Sequence, residues 1–195
     1  MDSIAKEVDS ELLPFIRVYK DGTVERLSES PHVPPLHDPQ TNVSSEDITI
    51  YLTILTPLAK VLAVSVSYRL APQRPLPIAY EDCWAALQWV CSHSAKDGVV
   101  SEPWLIDHGD FDQVFIGGDS AGANIAHNIA MRTGIEILHG GIKIEGAYLN
   151  HPFFWASDPI GLESVTEREQ DLAYQLWKFV YPNSQGGIDD LLEMI

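Results

Sequence analysis

Residues 114–133 read VFIGGDSAGANIAHNIAMRT, and the fold is decided by how this stretch is parsed. Val114, Phe115 and Ile116 are β-branched or aromatic and are closed by Gly117 and Gly118, which predicts a short buried strand. Gly118-Asp119-Ser120-Ala121-Gly122 then forms Gly-x-Ser-x-Gly. Beyond it Ile125, Ile129 and Ala130 recur at helical spacing among alanines, which predicts a helix. Strand, Gly-x-Ser-x-Gly and helix in direct succession are the sequence form of a nucleophile elbow, a strained turn that lifts a serine hydroxyl into the open. The bland alternative is a glycine-rich turn of any α/β protein, and only the flanking strand and helix separate the two.

Each elbow residue has an expected role. Ser120 is the candidate nucleophile. Gly118 and Gly122 are expected to leave room where strand and helix converge. The Ala121 amide, at the positive end of the helix, is expected to donate to the oxygen of a substrate carbonyl as charge develops there. Asp119 is expected to orient the turn, its plain alternative being a solvated loop carboxylate.

Working outward, 195 residues with 45% hydrophobic and 21% charged side chains suit a globular protein with one core. A net charge of −16, from 28 acidic against 12 basic residues, argues against nucleic acid and against anionic membrane surfaces as partners. No run approaches the ~20 apolar residues that span a bilayer, and the acidic start does not read as a signal peptide, so a cytoplasmic location is expected. Cys83 and Cys91, separated by ~12 Å of rise along one helix, are expected to be reduced and buried. They offer no structural zinc site.

Before the elbow, Ile4, Val8 and Leu12 at four-residue spacing predict an acidic helix or an arm over residues 1–13. Phe15–Tyr19 and Thr23–Leu27 around Asp21-Gly22 predict a hairpin, and residues 28–47 a proline-containing loop. Asp47–Ile50 reads as a strand and Tyr51–Leu62 as a helix, with no turn chemistry between them; Ile50/Tyr51 is an abnormal junction. Val61–Tyr68 reads as a buried parallel strand. Arg69–Pro77 reads as a loop, and Ala79–His93 as a helix with Cys83, Ala86, Leu87 and Val90 on one face. A loop containing Trp104 leads to the Val114 strand. After the elbow helix, Ile142–Leu149 predicts another strand and Asn150–Gly161 a loop. Glu167–Tyr181 predicts a helix whose aromatic residues suit a cap over a pocket or a docking face. Strand, helix, strand, helix, strand implies a mostly parallel sheet flanked by helices, with Val114 between the Val61 and Ile142 strands and the site at its carboxyl end.

Tyr68-Arg69-Leu70-Ala71-Pro72, Ala79-Tyr80-Glu81-Asp82-Cys83-Trp84-Ala85-Ala86-Leu87, Gly117 to Asn124 and His151-Pro152-Phe153-Phe154 together resemble the plant carboxylesterases. These belong to the hormone-sensitive-lipase-like branch of the α/β-hydrolases, with isoflavanone dehydratases and gibberellin receptors. The resemblance covers about residues 10–182 and implies one α/β-hydrolase domain over 1–195, with 1–47 as arm, hairpin and loop. It implies a serine hydrolase of small-molecule carboxylic esters that needs no cofactor and no metal.

Measured against that family, three features are missing. The His-Gly-Gly-Gly strand end that completes the oxyanion hole is absent, at the abnormal Ile50/Tyr51 junction. The downstream acid and histidine of the triad are absent too, so the domain reads as truncated. His139-Gly140-Gly141 is no substitute, because it follows the elbow helix as a helix C-terminus would. His127 lies two turns along the elbow helix and points away from Ser120. His151 lies at the site's edge and reads as a structural corner beside Pro152. His32, His37, His93 and His108 read as solvated or core residues. The resemblance therefore implies an esterase whose rate in this chain is largely lost. The rival readings are a non-catalytic, hormone-receptor-like binding protein and an inactive splice product or fragment whose unpaired sheet edges promote self-association.

Overall fold

The computed structural model describes residues 6–28, 37–38, 43–44, 61–94, 102–154 and 167–184. Two compact units are present, 1–35 and 36–195.

In the first unit, β1 (Val8–Leu12), β2 (Ile16–Tyr19) and β3 (Val24–Arg26) form an antiparallel meander. The Asp21-Gly22 turn joins β2 to β3 as predicted. Gly22 takes φ 81°, and the Thr23 N–H donates to Asp21 Oδ1 at 2.8 Å. Residues 8–12 are a strand where a helix or arm was expected. A spacing of four suits a helix face and also two steps of strand alternation, and pairing with β2 decides between them. Glu11 stands opposite Arg17, whose Nε donates to it at 3.0 Å, and Leu12 is buried opposite Ile16.

The second unit opens with β4 (His37–Asp38) and β5 (Val43–Ser44), a two-residue antiparallel pair inside the expected loop. The expected strand at 47–50, the helix at 51–62 up to residue 60 and their junction lie outside the described residues. Residues 61–68 belong to no strand, contrary to expectation. Val61 and Leu62 are exposed, and Tyr68 packs on the core. β-propensity is realised only against a ladder partner, and among the described residues this run has none. The three-strand order centred on Val114 therefore reduces, among the described residues, to one parallel pair.

Helix α1 (Ile78–Ser92) forms as predicted, but its buried face is rotated. Ala79, Tyr80, Trp84 and Cys91 are buried, whereas Cys83 and Leu87 are half-buried. Tyr80 and Trp84 turn toward the core together with Ala79 and Cys91, and Cys83 and Leu87 lie at the edge of that face. Both cysteines are free thiols. Burial pushes the Cys83 thiol up to about 12 and that of Cys91 up to about 11. Helix α2 (Pro103–His108) replaces the expected loop around Trp104. Pro103 suits its first turn, and Trp104 Nε1 donates to Glu102 at 2.8 Å.

β6 (Val114–Asp119), α3 (Ala121–Thr133) and β7 (Ile144–Asn150) form the strand–helix–strand unit, with β6 and β7 parallel. Helix α4 (Glu167–Val180) follows. Ile116 and Ile144 turn one sheet face toward Ile125 and Ile129 of α3, Tyr80 and Trp84 of α1, and Trp177 of α4. Trp177 is 1% exposed and fills the core instead of capping a pocket, whereas Leu172 and Tyr174 of the same helix are exposed. On the other sheet face Phe115 and Tyr148 are each 63% exposed, so among the described residues this parallel pair is not covered on both sides.

His139-Gly140-Gly141 is also not where the sequence put it. Helix α3 ends at Thr133, with Gly134 right-handed at its cap. The later glycines, at φ 68° and 70°, form a 3₁₀ turn (His139–Gly141) leading toward β7.

Candidate active site

The parallel register sets Asp119 level with Asn150, so β6 and β7 end together. At that end Ser120 takes φ 53° and ψ −113°, a combination sparsely populated by residues other than glycine. The chain leaves β6, turns through this one residue and enters α3 at Ala121. Ser120 is exposed, as a nucleophile elbow requires. Ala121 is the first residue of α3, so its N–H has no acceptor within the helix and is available to an incoming oxygen.

The two elbow glycines differ in what they permit. A Cβ at Gly118 would lie 2.3 Å from the Gly122 carbonyl carbon and 2.4 Å from its oxygen. No side chain fits there. A Cβ at Gly122 would meet nothing within 4 Å, which corrects the expectation that both positions are crowded. Close approach of Gly118 to the Gly122 backbone is one-sided, because the Gly122 Cβ direction points away from β6.

Asp119 accepts a hydrogen bond from Asn150 Nδ2 at 2.5 Å and lies 3.6 Å from His151 Nδ1. This bond ties the end of β6 to the end of β7. The His151 and Asp119 side chains are 85% and 68% exposed, so this is a weak surface contact. Among the described residues no histidine hydrogen-bonds to the Ser120 hydroxyl. His127 stacks edge-on against Phe154 at 5.0 Å between ring centres, and His93 is buried with Nδ1 2.8 Å from the Trp89 carbonyl oxygen. His108 and His139 are exposed.

The backbone of Ser120 is fixed from several directions. Its N–H donates to the Asn150 carbonyl at 2.9 Å, and its carbonyl accepts from Ala123, Asn124 and Phe153 at 3.1, 3.1 and 3.2 Å. Asn124 and Tyr80, which the sequence reading left without a role, are both buried beside the elbow. The Tyr80 hydroxyl donates to Asn124 Oδ1 at 2.7 Å, and Asn124 Nδ2 donates to the Phe153 carbonyl at 2.9 Å. The available signal was an asparagine on the apolar face of an alanine-rich helix, since a buried amide implies partners.

Strand, elbow and helix match a family model described as alpha/beta hydrolase fold over residues 42–185. The chain belongs to the α/β-hydrolase family. Among the relatives of this α/β-hydrolase, 2-hydroxyisoflavanone dehydratase of Glycyrrhiza echinata is 44% identical, covering 96% of this chain and 72% of the relative. Their alignment runs over 236 positions against 195 residues, so at least 41 positions of the relative face no residue here. Probable carboxylesterase 4, mitochondrial, of Arabidopsis thaliana is 38% identical over 95% of this chain and 62% of its own length. Probable carboxylesterase 5 of the same plant is 37% identical over 95% and 73%. These matches place the α/β-hydrolase with the plant carboxylesterases. The esterase LipW of Mycobacterium marinum shares the fold, with a TM-score of 0.52 and 21% identity over 72% of this chain and 42% of that one. Among the described residues no helix is long and apolar enough to cross a membrane.

Proposed function

We propose that this α/β-hydrolase is a carboxylic-ester hydrolase acting on small-molecule esters through Ser120. The observation that supports it is the conformation of Ser120, φ 53° and ψ −113°, an exposed serine held in strain between β6 and the first amide of α3. In the reaction Ser120 Oγ bonds to the ester carbonyl carbon, and the carbonyl oxygen takes the negative charge against the Ala121 N–H. The alcohol leaves with a proton, and water then hydrolyses the acyl-serine. Among the described residues no side chain is placed to receive the proton of Ser120; where solvent takes it, the step is slow. In a comparable enzyme, losing the base costs about 10⁶ in rate. The two free thiols suit a reducing compartment such as the cytoplasm.

Excess fluorophosphonate, followed over hours by intact-protein mass spectrometry, should give a weak, time-dependent adduct on Ser120 that is absent from Ser120→Ala. Steady-state hydrolysis of p-nitrophenyl acetate should lie close to the Ser120→Ala background. No adduct, or an equal one on Ser120→Ala, overturns the reading. The 44% identity to a dehydratase favours a second reading, in which the site eliminates water from a hydroxylated substrate and forms no acyl-serine. Turnover of such a substrate without any Ser120 adduct would select it.

A further inference from the structure

We infer that Asn124, oriented by Tyr80, is a positioning residue that holds Ser120 in its strained conformation. This rests on the reading of Ser120 as nucleophile. Its support is a closed circuit of hydrogen bonds. The Asn124 N–H donates to the Ser120 carbonyl at 3.1 Å, its side-chain Nδ2 donates to the Phe153 carbonyl at 2.9 Å, and the Phe153 N–H returns to the Ser120 carbonyl at 3.2 Å. One residue thus grips both the turn and the segment that follows β7.

The Asn124 amide can serve this way only in one orientation, with Nδ2 toward Phe153. Tyr80 enforces it by donating its hydroxyl proton to Oδ1 at 2.7 Å. Both side chains are buried, Tyr80 at 1% and Asn124 at 5% exposure, so neither can exchange these bonds for water without opening the core. Burial also raises the Tyr80 pKa and keeps its hydroxyl a donor. Tyr80 belongs to the same core as Trp177, against which Phe153 also packs. The position of α1 is thereby passed to Ser120 through one tyrosine and one amide. A serine at positive φ persists only where its surroundings over-determine it, and this circuit supplies that constraint from outside the five-residue motif.

An ordinary buried asparagine would serve the fold alike through either end of its amide, whereas positioning Ser120 needs the donor end at Phe153. Tyr80→Phe removes only the hydroxyl that sets the orientation. Asn124→Asp keeps an acceptor for Tyr80 and loses the donor to Phe153. In the full chain, the maximal rate of fluorophosphonate modification of Ser120 should fall about tenfold to hundredfold in both variants. The half-saturating probe concentration should be unchanged. The amide of Phe153 should exchange with solvent at least about tenfold faster, while that of Ile129, deeper in α3, keeps its rate.

Modification within twofold of the parent in Tyr80→Phe, the milder change, overturns the inference. So does parallel acceleration of Phe153 and Ile129, which reports general loosening. If the parent chain gives no Ser120 adduct, the nucleophile reading fails and exchange alone decides: selective acceleration at Phe153 upholds the positioning role, and its absence ends it.

Discussion

Alanine at position 118 and alanine at position 122 should have opposite effects, although the two glycines are symmetric about the serine in the motif. At Gly118 the new Cβ would sit 2.3 Å from the Gly122 carbonyl carbon and 2.7 Å from the Ala123 nitrogen. Real Cβ atoms essentially never approach other atoms within 3.0 Å, so the start of α3 must retreat from β6 by at least about 0.7 Å. Only residues 119–121 connect the two points, which forces the displacement into the dihedrals of Ser120. Overpacking of this kind costs typically 1–3 kcal/mol. Because the obstacle is backbone and cannot rotate aside, the upper end, about 3 kcal/mol, is expected. At Gly122 the Cβ enters open space in the first turn of a helix, where alanine is favoured over glycine by up to about 1 kcal/mol. Urea titrations of the parent, Gly118→Ala and Gly122→Ala should therefore place the midpoints in the order 122 variant, parent, 118 variant. For a chain of this length the 118 variant should melt about 6–12 °C lower. Equal stability of Gly118→Ala and parent would refute the steric argument. Loss of stability in Gly122→Ala would show that the open space is filled in solution.

Two further outcomes follow from burial and exposure. The Cys91 thiol, fully buried and pushed up to about 11, stays protonated in the folded chain while an unfolded thiol ionises near 9. Its contribution to stability is thus complete below pH 9 and is lost as pH rises from 9 toward 11, steepening the unfolding constant by up to about tenfold per pH unit. Cys91→Ala should flatten that alkaline slope in thermal melts. We also propose that the exposed sheet face promotes self-association: sedimentation velocity should show larger species as concentration rises, and Phe115→Lys should shift them toward monomer. A single monomeric species at all concentrations would count against it.

Local chemistry was legible in the sequence, and tertiary partnership was not. The elbow and its flanking elements could be read because a strand, a tight turn and a helix each declare themselves within a few residues. The Asp21-Gly22 hairpin could be read for the same reason. Val61–Tyr68 has the composition of a buried strand, yet strand identity belongs to a pair, and among the described residues no partner strand is paired with it. A four-residue spacing could not tell helix from strand at residues 8–12, where the ladder with β2 decides. At six residues, α2 is too short for periodicity to reveal. The Tyr80–Asn124 contact joins residues 44 apart, and the asymmetry of Gly118 and Gly122 depends on where one Cβ vector points. Neither is encoded in any single stretch.

The conformation of Ser120 also bears on why a serine stands there at all. A residue at φ 53° and ψ −113° burdens the fold by of order 1–3 kcal/mol, and glycine at the same place would escape most of that burden. On stability alone, glycine would therefore suit position 120 better than serine. A hydroxyl in that conformation is a weight held above the floor: the fold gains nothing from it, and the proposed role of Ser120 as nucleophile supplies a reason for it.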